Sequence, residues 1–411
     1  MSGSDIADHV DSSSGIPPRF SRRRKAFVLA ILLVLSALAY FYFSWSGRGA
    51  PNPELSFSGD SRELAHTQIV PTLDTPIEPG KNVVWCATFL EGWKQLAQKV
   101  VGGSLHVAGA EEVCARLNAA TDPSTYMHPD LYYANAGTEE KGILQTIEKD
   151  MAERFPNHQI PAFEDIIPGS FVTYSYLEAR VPFTIPYFDN REPLTFTDGS
   201  GATTNVRSFG LRKEDGDRYG ALRKQARLLM AEWPESEGLA PSDQPPSSFA
   251  VDLCGDSEPC QIVVACVEQG DTLADTLSTL NTKIVAYGKE HATIDAYNDE
   301  HASPRSLGGN DIVLVPDMFW RLIHHFAELE DRQIESPPIQ GQEVSVALQE
   351  IQFRLDRSGA ELSSEAHQYG ASAGFGHYIC DQPFLLYIKQ RRSETPFFMM
   401  WVDNAELLQA W

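Results

Sequence analysis

Apolar residues along this chain follow three spacings, and each predicts a different kind of element. One stretch has no polar interruption: residues 26–45 read AFVLAILLVLSALAYFYFSW, without a charge. As a helix it is about 30 Å long, enough to cross the hydrocarbon core of a bilayer. Helical spacing, every three to four residues, follows the short apolar strand in KNVVWCATFLEGWKQLAQKV (81–100). It recurs in EEVCARLNAA (111–120), GILQTIEKDMAERF (142–155), RYGALRKQARLLMAEW (218–233) and DTLADTLSTLNTKIVAYG (271–288). Strand-like runs rich in β-branched and aromatic residues occupy SFVTYSYLEARVPF (170–183), VSVALQEIQFRLD (344–356), PFLLYIKQR (383–391) and PFFMMWVDN (396–404). EPLTFTDGSGATTNVRSFGL (192–211) predicts a hairpin turning at Asp198-Gly199. DIVLVPDMFWRLIHHFAEL (311–329) predicts a strand leading into a helix. Strands and helices that do not alternate regularly point to an α+β body with large mixed and antiparallel sheets and packed helices, preceded by one transmembrane helix.

Charge orients that helix. Arg19, Arg22, Arg23, Arg24 and Lys25 precede it and only Arg48 follows closely, so the N-terminus is expected in the cytoplasm and the rest outside. Tyr40, Phe41, Tyr42, Phe43 and Trp45 gather at the far end, where aromatic rings favour the lipid–water boundary. A cleaved signal peptide is the rival reading, with Ala37-Leu38-Ala39 as a small-residue site, but the apolar run continues past it. The expected organisation is a polar, basic tail over 1–25, the anchor over 26–45, a Pro/Gly-containing stalk over 46–80 and a globular body over 81–411. A formal net charge of −23 argues against nucleic acid as a partner. No Asn-x-Ser/Thr acceptor with a permitted middle residue follows the anchor, which fits a bacterial envelope.

All six cysteines lie beyond the anchor, where disulfides can form. Cys254 and Cys260 end and begin two strand-like runs joined by GDSEP, so a hairpin would bring them across from each other to pair or to be buried. A zinc reading that adds Cys266 has the wrong spacing and no completing histidine. His324-His325, in the helical part expected for 311–329, would face different sides and make a poor metal site. No nucleophile elbow, HExxH helix, P-loop or dinucleotide fingerprint occurs, so neither an enzyme nor a cofactor is expected.

The order of elements in the last 250 residues resembles the serpins, a family of protease inhibitors. DQPFLLYIKQRRSETPFFMMWVDNAELL (381–408) is similar to the family's closing hairpin, and EIQFRLDRSGAELSSEA (350–366) to its hinge. There, a long central strand runs through a polar turn into Gly, Glu and small residues. SFVTYSYLEARVPF, EPLTFTDGSG, the paired cysteine-bearing runs and KNVVWCATFLEGWKQLA resemble further family elements in the family's order. Some positions depart from the pattern: Cys86-Ala87-Thr88 stands where the family has Ser-Pro-x-Ser, and Gln349 where it has histidine. Tyr174-Ser175 lacks the family's Asn-Ala pair, and residues 209–248 read as an insert.

The resemblance implies a loop over about 359–380, with hinge residues Gly359, Ala360, Glu361 and Leu362. Its scissile region falls at Ser372, Ala373, Gly374 and Phe375, and its partner would be a serine protease. After Gly359, Ala360, Leu362, Ser364 and Ala366 are small or apolar, and Glu361, Ser363, Glu365 and His367 between them are polar. Such alternation lets a segment enter a sheet as a strand. The expected function is a membrane-anchored, serpin-like inhibitor. The alternatives are an envelope scaffold or binding protein that keeps the fold without loop insertion, and an envelope hydrolase, which lacks any nucleophile–base motif.

Overall fold

The computed structural model describes residues 55–411 except 157, 164–165, 179–180, 213–215, 217, 235–244, 256–258, 298–306 and 361–375. The anchor expected at 26–45 lies outside the described residues. Among the described residues no helix is long and apolar enough to cross a membrane.

The first third of the body supplies the strands β1 (Phe57–Asp60), β2 (Thr67–Val70), β3 (Asn82–Cys86) and β4 (Tyr132–Thr138). Its helices are α1 (Ala87–Leu96), α2 (Glu111–Ala119) and α3 (Ile143–Arg154). α1 follows β3 directly and buries Phe89, Leu90, Trp93 and Leu96 at the spacing of a helix face. The middle third contains β5 (Phe171–Glu178), β6 (Val181–Pro182), β7 (Phe188–Asp189), β8 (Leu194–Thr197), β9 (Thr203–Val206) and β10 (Ser208–Leu211). It continues with α4 (Tyr219–Gln225), β11 (Arg227–Glu232), β12 (Ser248–Asp252), β13 (Cys260–Cys266) and the long α5 (Leu273–Tyr297). The last third is almost all strand. It comprises β14 (Ile312–Pro316), β15 (Met318–His325), β16 (Arg332–Gln333), β17 (Glu343–Leu355), β18 (Gly359–Ala360), β19 (His377–Ile379), β20 (Phe384–Gln390) and β21 (Pro396–Val402).

Three larger sheets result, and the body is α+β. A six-stranded sheet runs β1-β15-β17-β5-β4, with β16 beside β17. A seven-stranded sheet runs β11-β12-β13-β20-β21-β3-β2, and a four-stranded one β19-β14-β10-β7. β17 is the spine of the first sheet. It pairs antiparallel with β15 and parallel with β5, from Val344 opposite Phe171 to Gln352 opposite Glu178. Its two faces meet different partners, as a strand buried on both sides requires. Val346 and Leu348 pack with Ile147 and Met151 of α3. Ala347 packs with α1, while Ile351 and Phe353 join the core under the seven-stranded sheet. Phe353 stacks on Phe398 of β21 at 4.7 Å between ring centroids.

Several expectations are corrected. Cys254 and Cys260 are both buried, and no disulfide joins them. β12 pairs with β13 so that Asp252 faces Val263, and the Leu253 N–H donates to Ile262 O. The helix expected after 311–316 is strand β15, whose Met318, Trp320 and Leu322 are buried in alternation because β17 offers it a full ladder. Helical spacing across 218–233 ends at Gln225, and Arg227–Glu232 is drawn into the seven-stranded sheet as β11. The stretch 209–248, read as an insert, supplies most of β10 together with α4 and β11. The turn between β8 and β9 spans 198–202. Asp198 Oδ1 accepts from the N–H groups of Ser200 and Ala202, both at 2.9 Å, and the left-handed residue is Gly201.

Candidate functional site: the hinge and seam of the central sheet

At its C-terminal end β17 meets a tight reversal. Asp356 and Gly359 exchange backbone hydrogen bonds, at 3.0 and 3.2 Å, across Arg357 and Ser358. Asp356 organises this turn with its carboxylate, taking the Ser358 N–H at 2.8 Å and the Arg354 guanidinium at 2.6 Å. The turn is also held from outside: Phe183 N–H donates to Ser358 O, Tyr187 N–H to Arg357 O, and Arg357 pairs with Asp189 at 3.3 Å.

Gly359 is required by geometry. Its φ of 106° lies where side-chain-bearing residues are strained. A Cβ there would also collide with Val181 O and approach Phe183 N to 2.6 Å. With glycine in place, Gly359 and Ala360 form β18 against Pro182 and Val181 of β6. β6 follows β5 after two residues, so the chain leaving the turn runs antiparallel to both β17 and the β5–β6 line. Two of the four expected hinge residues, Gly359 and Ala360, are thus brought to this point. Glu361 and Leu362 lie outside the described residues, as do Ser372, Ala373, Gly374 and Phe375 of the expected scissile region.

The far end of that segment is tied to the four-stranded sheet. β19 pairs in parallel with β14, from Ile312 opposite His377 to Leu314 opposite Ile379. Asp311 caps the join: its carboxylate accepts from the N–H groups of Gly308 at 2.7 Å and Gly376 at 3.1 Å. Burial raises the Asp311 pKa above the usual carboxylate value.

Below the hinge, the β17–β5 seam carries buried polar groups on both faces. Glu350 is wholly buried, and its carboxylate receives Arg321 Nε of β15 at 2.5 Å and the Tyr174 hydroxyl of β5 at 3.1 Å. His158 Nε2 stands 3.0 Å from the same carboxylate, and the imidazole stacks on Tyr176. One carboxylate therefore ties β5, β15, β17 and the chain at His158 together. Burial and the neighbouring Glu350 charge raise the Tyr174 pKa far above the usual phenol range, so the hydroxyl stays a donor. On the opposite face, the Gln349 amide donates to Cys86 O at 3.1 Å and to Thr88 Oγ1 at 2.8 Å. The two departures noted in the sequence, Gln349 and Cys86-Ala87-Thr88, thus meet in space. Gln349 Oε1 and Ser175 Oγ, on residues opposite each other in the ladder, are both buried without a hydrogen-bond partner.

Sequence reasoning missed the Glu350 cluster. Its one signal was a carboxylate in the middle of a long apolar strand, and His158, Tyr174 and Arg321 carry no sequence mark that would join them to it. His324 and His325 occupy opposite faces of β15. His324 Nδ1 lies 2.7 Å from Ser61 Oγ, and His325 Nδ1 lies 2.8 Å from Glu330.

No family model matches the chain, and no curated protein does. The solved structures to which it is similar include three serpins. Serpin48 of the insect Tenebrio molitor is 11% identical, with 79% of this chain and 92% of that one covered and a TM-score of 0.44. Serpin-12 of Manduca sexta is 12% identical over 80% and 94% of the two chains, with a TM-score of 0.42. Tengpin, a thermophilic serpin in its native state, is 9% identical over 84% and 99%, with a TM-score of 0.46.

Proposed function

We propose that this chain is a membrane-tethered, serpin-like protein that presents residues 359–380 outside the cytoplasm as bait for a serine protease. It acts as an inhibitor and catalyses nothing itself. The observation that carries the reading is the reversal at Asp356–Gly359, which starts the loop antiparallel beside both β17 and β6. β17 and β5 are neighbours in a parallel ladder. A segment continuing from Ala360 between them would exchange that one parallel ladder for two antiparallel ones, and parallel pairing is the slightly weaker kind. The alternation of small and polar residues from Ala360 to His367 suits such a strand. Cutting the loop would release its N-terminal part to enter the seam, carrying the attached protease with it.

Ala373-Gly374 as the scissile bond suits a protease with a small apolar primary pocket, while Phe375 suits a chymotrypsin-like one. The segment 26–45, with basic residues before it, is the tether. Anchoring raises the inhibitor's effective concentration against proteases at the same surface.

The test is limited proteolysis of the full chain with elastase or chymotrypsin between Gly359 and Pro383, followed by thermal unfolding. A rise of tens of degrees in the midpoint supports insertion and directs a search for the target protease. An unchanged or lower midpoint removes the trap and leaves a static scaffold or binding protein.

A further inference from the structure

One face of the six-stranded sheet is covered across the β17–β5 seam. α3 and the chain after it, through Phe155, Ile160, Phe163 and Ile166, share one apolar cluster with residues of β4, β5, β17 and β15. Within that cover, residues 158–163 hold both sides of the seam at once. On the β5 side the His158 ring stacks on Tyr176 at 4.1 Å between centroids, and Phe163 meets Tyr174 edge-on at 5.7 Å. On the β17 side His158 Nε2 stands 3.0 Å from the Glu350 carboxylate. Arg321, which also binds that carboxylate, donates to Gln159 O at 3.1 Å. The Tyr174 hydroxyl crosses the seam directly and donates to Glu350 at 3.1 Å. Glu350 and Tyr176 are opposite each other in the ladder, so the grip of His158 closes on a single rung.

Neighbouring strands lie about 4.8 Å apart, and a third strand between them would set them about 9.6 Å apart. No hydrogen bond stretches by that much. His158 would then keep Tyr176 or Glu350 but not both, and the bond from Tyr174 would break outright.

We propose that His158 and Tyr174 form a clasp that keeps the β17–β5 seam shut, and that the clasp must open before the loop can enter. This rests on the insertion reading above. Both are positioning residues, since neither meets the protease. The clasp belongs to the chain before insertion, and that sets it apart from ordinary packing. Contacts made before insertion and absent after it stabilise only the first form and slow its conversion to the second.

The test compares the full chain with its His158→Ala and Tyr174→Phe variants, each before and after cutting with elastase or chymotrypsin between Gly359 and Pro383. Each substitution should lower the unfolding midpoint of the uncut chain by about 4 °C and leave that of the cut chain unchanged. Each should also speed the conversion of the cut chain to its high-midpoint form by about tenfold. Equal lowering of both midpoints, or an unchanged rate of conversion, makes the two residues ordinary packing and overturns the clasp while insertion stands. If cutting fails to raise the midpoint of the unsubstituted chain, insertion itself falls and takes the clasp with it. Tyr174→Phe removes one hydroxyl and keeps the ring, so it carries the test should His158→Ala fail to fold.

Discussion

The two largest sheets are both built around long buried strands, yet they treat polar groups differently. In the seven-stranded sheet β13, β20 and β21 lie side by side and among the described residues hold no buried side-chain polar atom without a partner; Trp85 Nε1 of β3 is that sheet's one such atom, and the buried Asp252 of β12 is met by Gln261 and Arg391. In the six-stranded sheet the seam between β17 and β5 contains three such atoms: Gln349 Oε1, Ser175 Oγ and Thr173 Oγ1. It also buries the Glu350 carboxylate. An orphaned polar atom costs about 1–3 kcal/mol, whereas dry apolar packing is stabilising throughout. The lesson is a division of labour. One sheet rests on three adjacent strands without orphaned polar atoms, and the other is held by specific polar bonds across its β17–β5 seam.

The largest expected effect tests the seven-stranded sheet. Leu386 is wholly buried in β20 between Val264 and Met400, and Leu386→Ala should cost about 2–5 kcal/mol in equilibrium denaturation. A loss below 1 kcal/mol would deny that sheet its role.

Acid should act on the other sheet first. His324 in β15 is held neutral by burial and by neighbouring His325, its pKa lowered from 6.5 to about 4. A histidine with a depressed folded pKa contributes stability that is present above 6.5 and lost as pH falls toward 4, about 3 kcal/mol in all. Hydrogen exchange followed over that window should show β15, β17 and β5 losing protection before β20 and β21, and His324→Gln should flatten the dependence. Equal loss in both sheets would break the comparison.

The smallest effect has the opposite sign. Ser175→Ala removes an orphaned hydroxyl from the seam and should raise stability by about 1 kcal/mol. A clear loss would mean that the hydroxyl supports the junction.

Much of this arrangement was legible in the chain because it depends on local pattern. The span of β17, the closing pair β20–β21, and the helices α1, α2 and α3 follow from apolar spacing alone. The family resemblance singled out Gly359, and the structure shows why a glycine stands there: the close passage of Val181 and Phe183. Errors arose where a distant partner overrode local spacing. Helical periodicity through 318–325 yielded to β17, and that of 227–232 yielded to β12.

Sequence by itself determined β17, β20, β21 and helices α1, α2 and α3 from their apolar spacing, and it marked the turn after β17 through glycine and charge. Only the tertiary structure decided which strands are neighbours. It set β17 beside β5, brought Gln349 to Cys86 and Thr88, and gathered His158, Tyr174 and Arg321 around Glu350. The physical reason is range. Periodicity is written by the nearest few residues, whereas register and the partners of a buried charge are selected by packing between segments far apart in the chain.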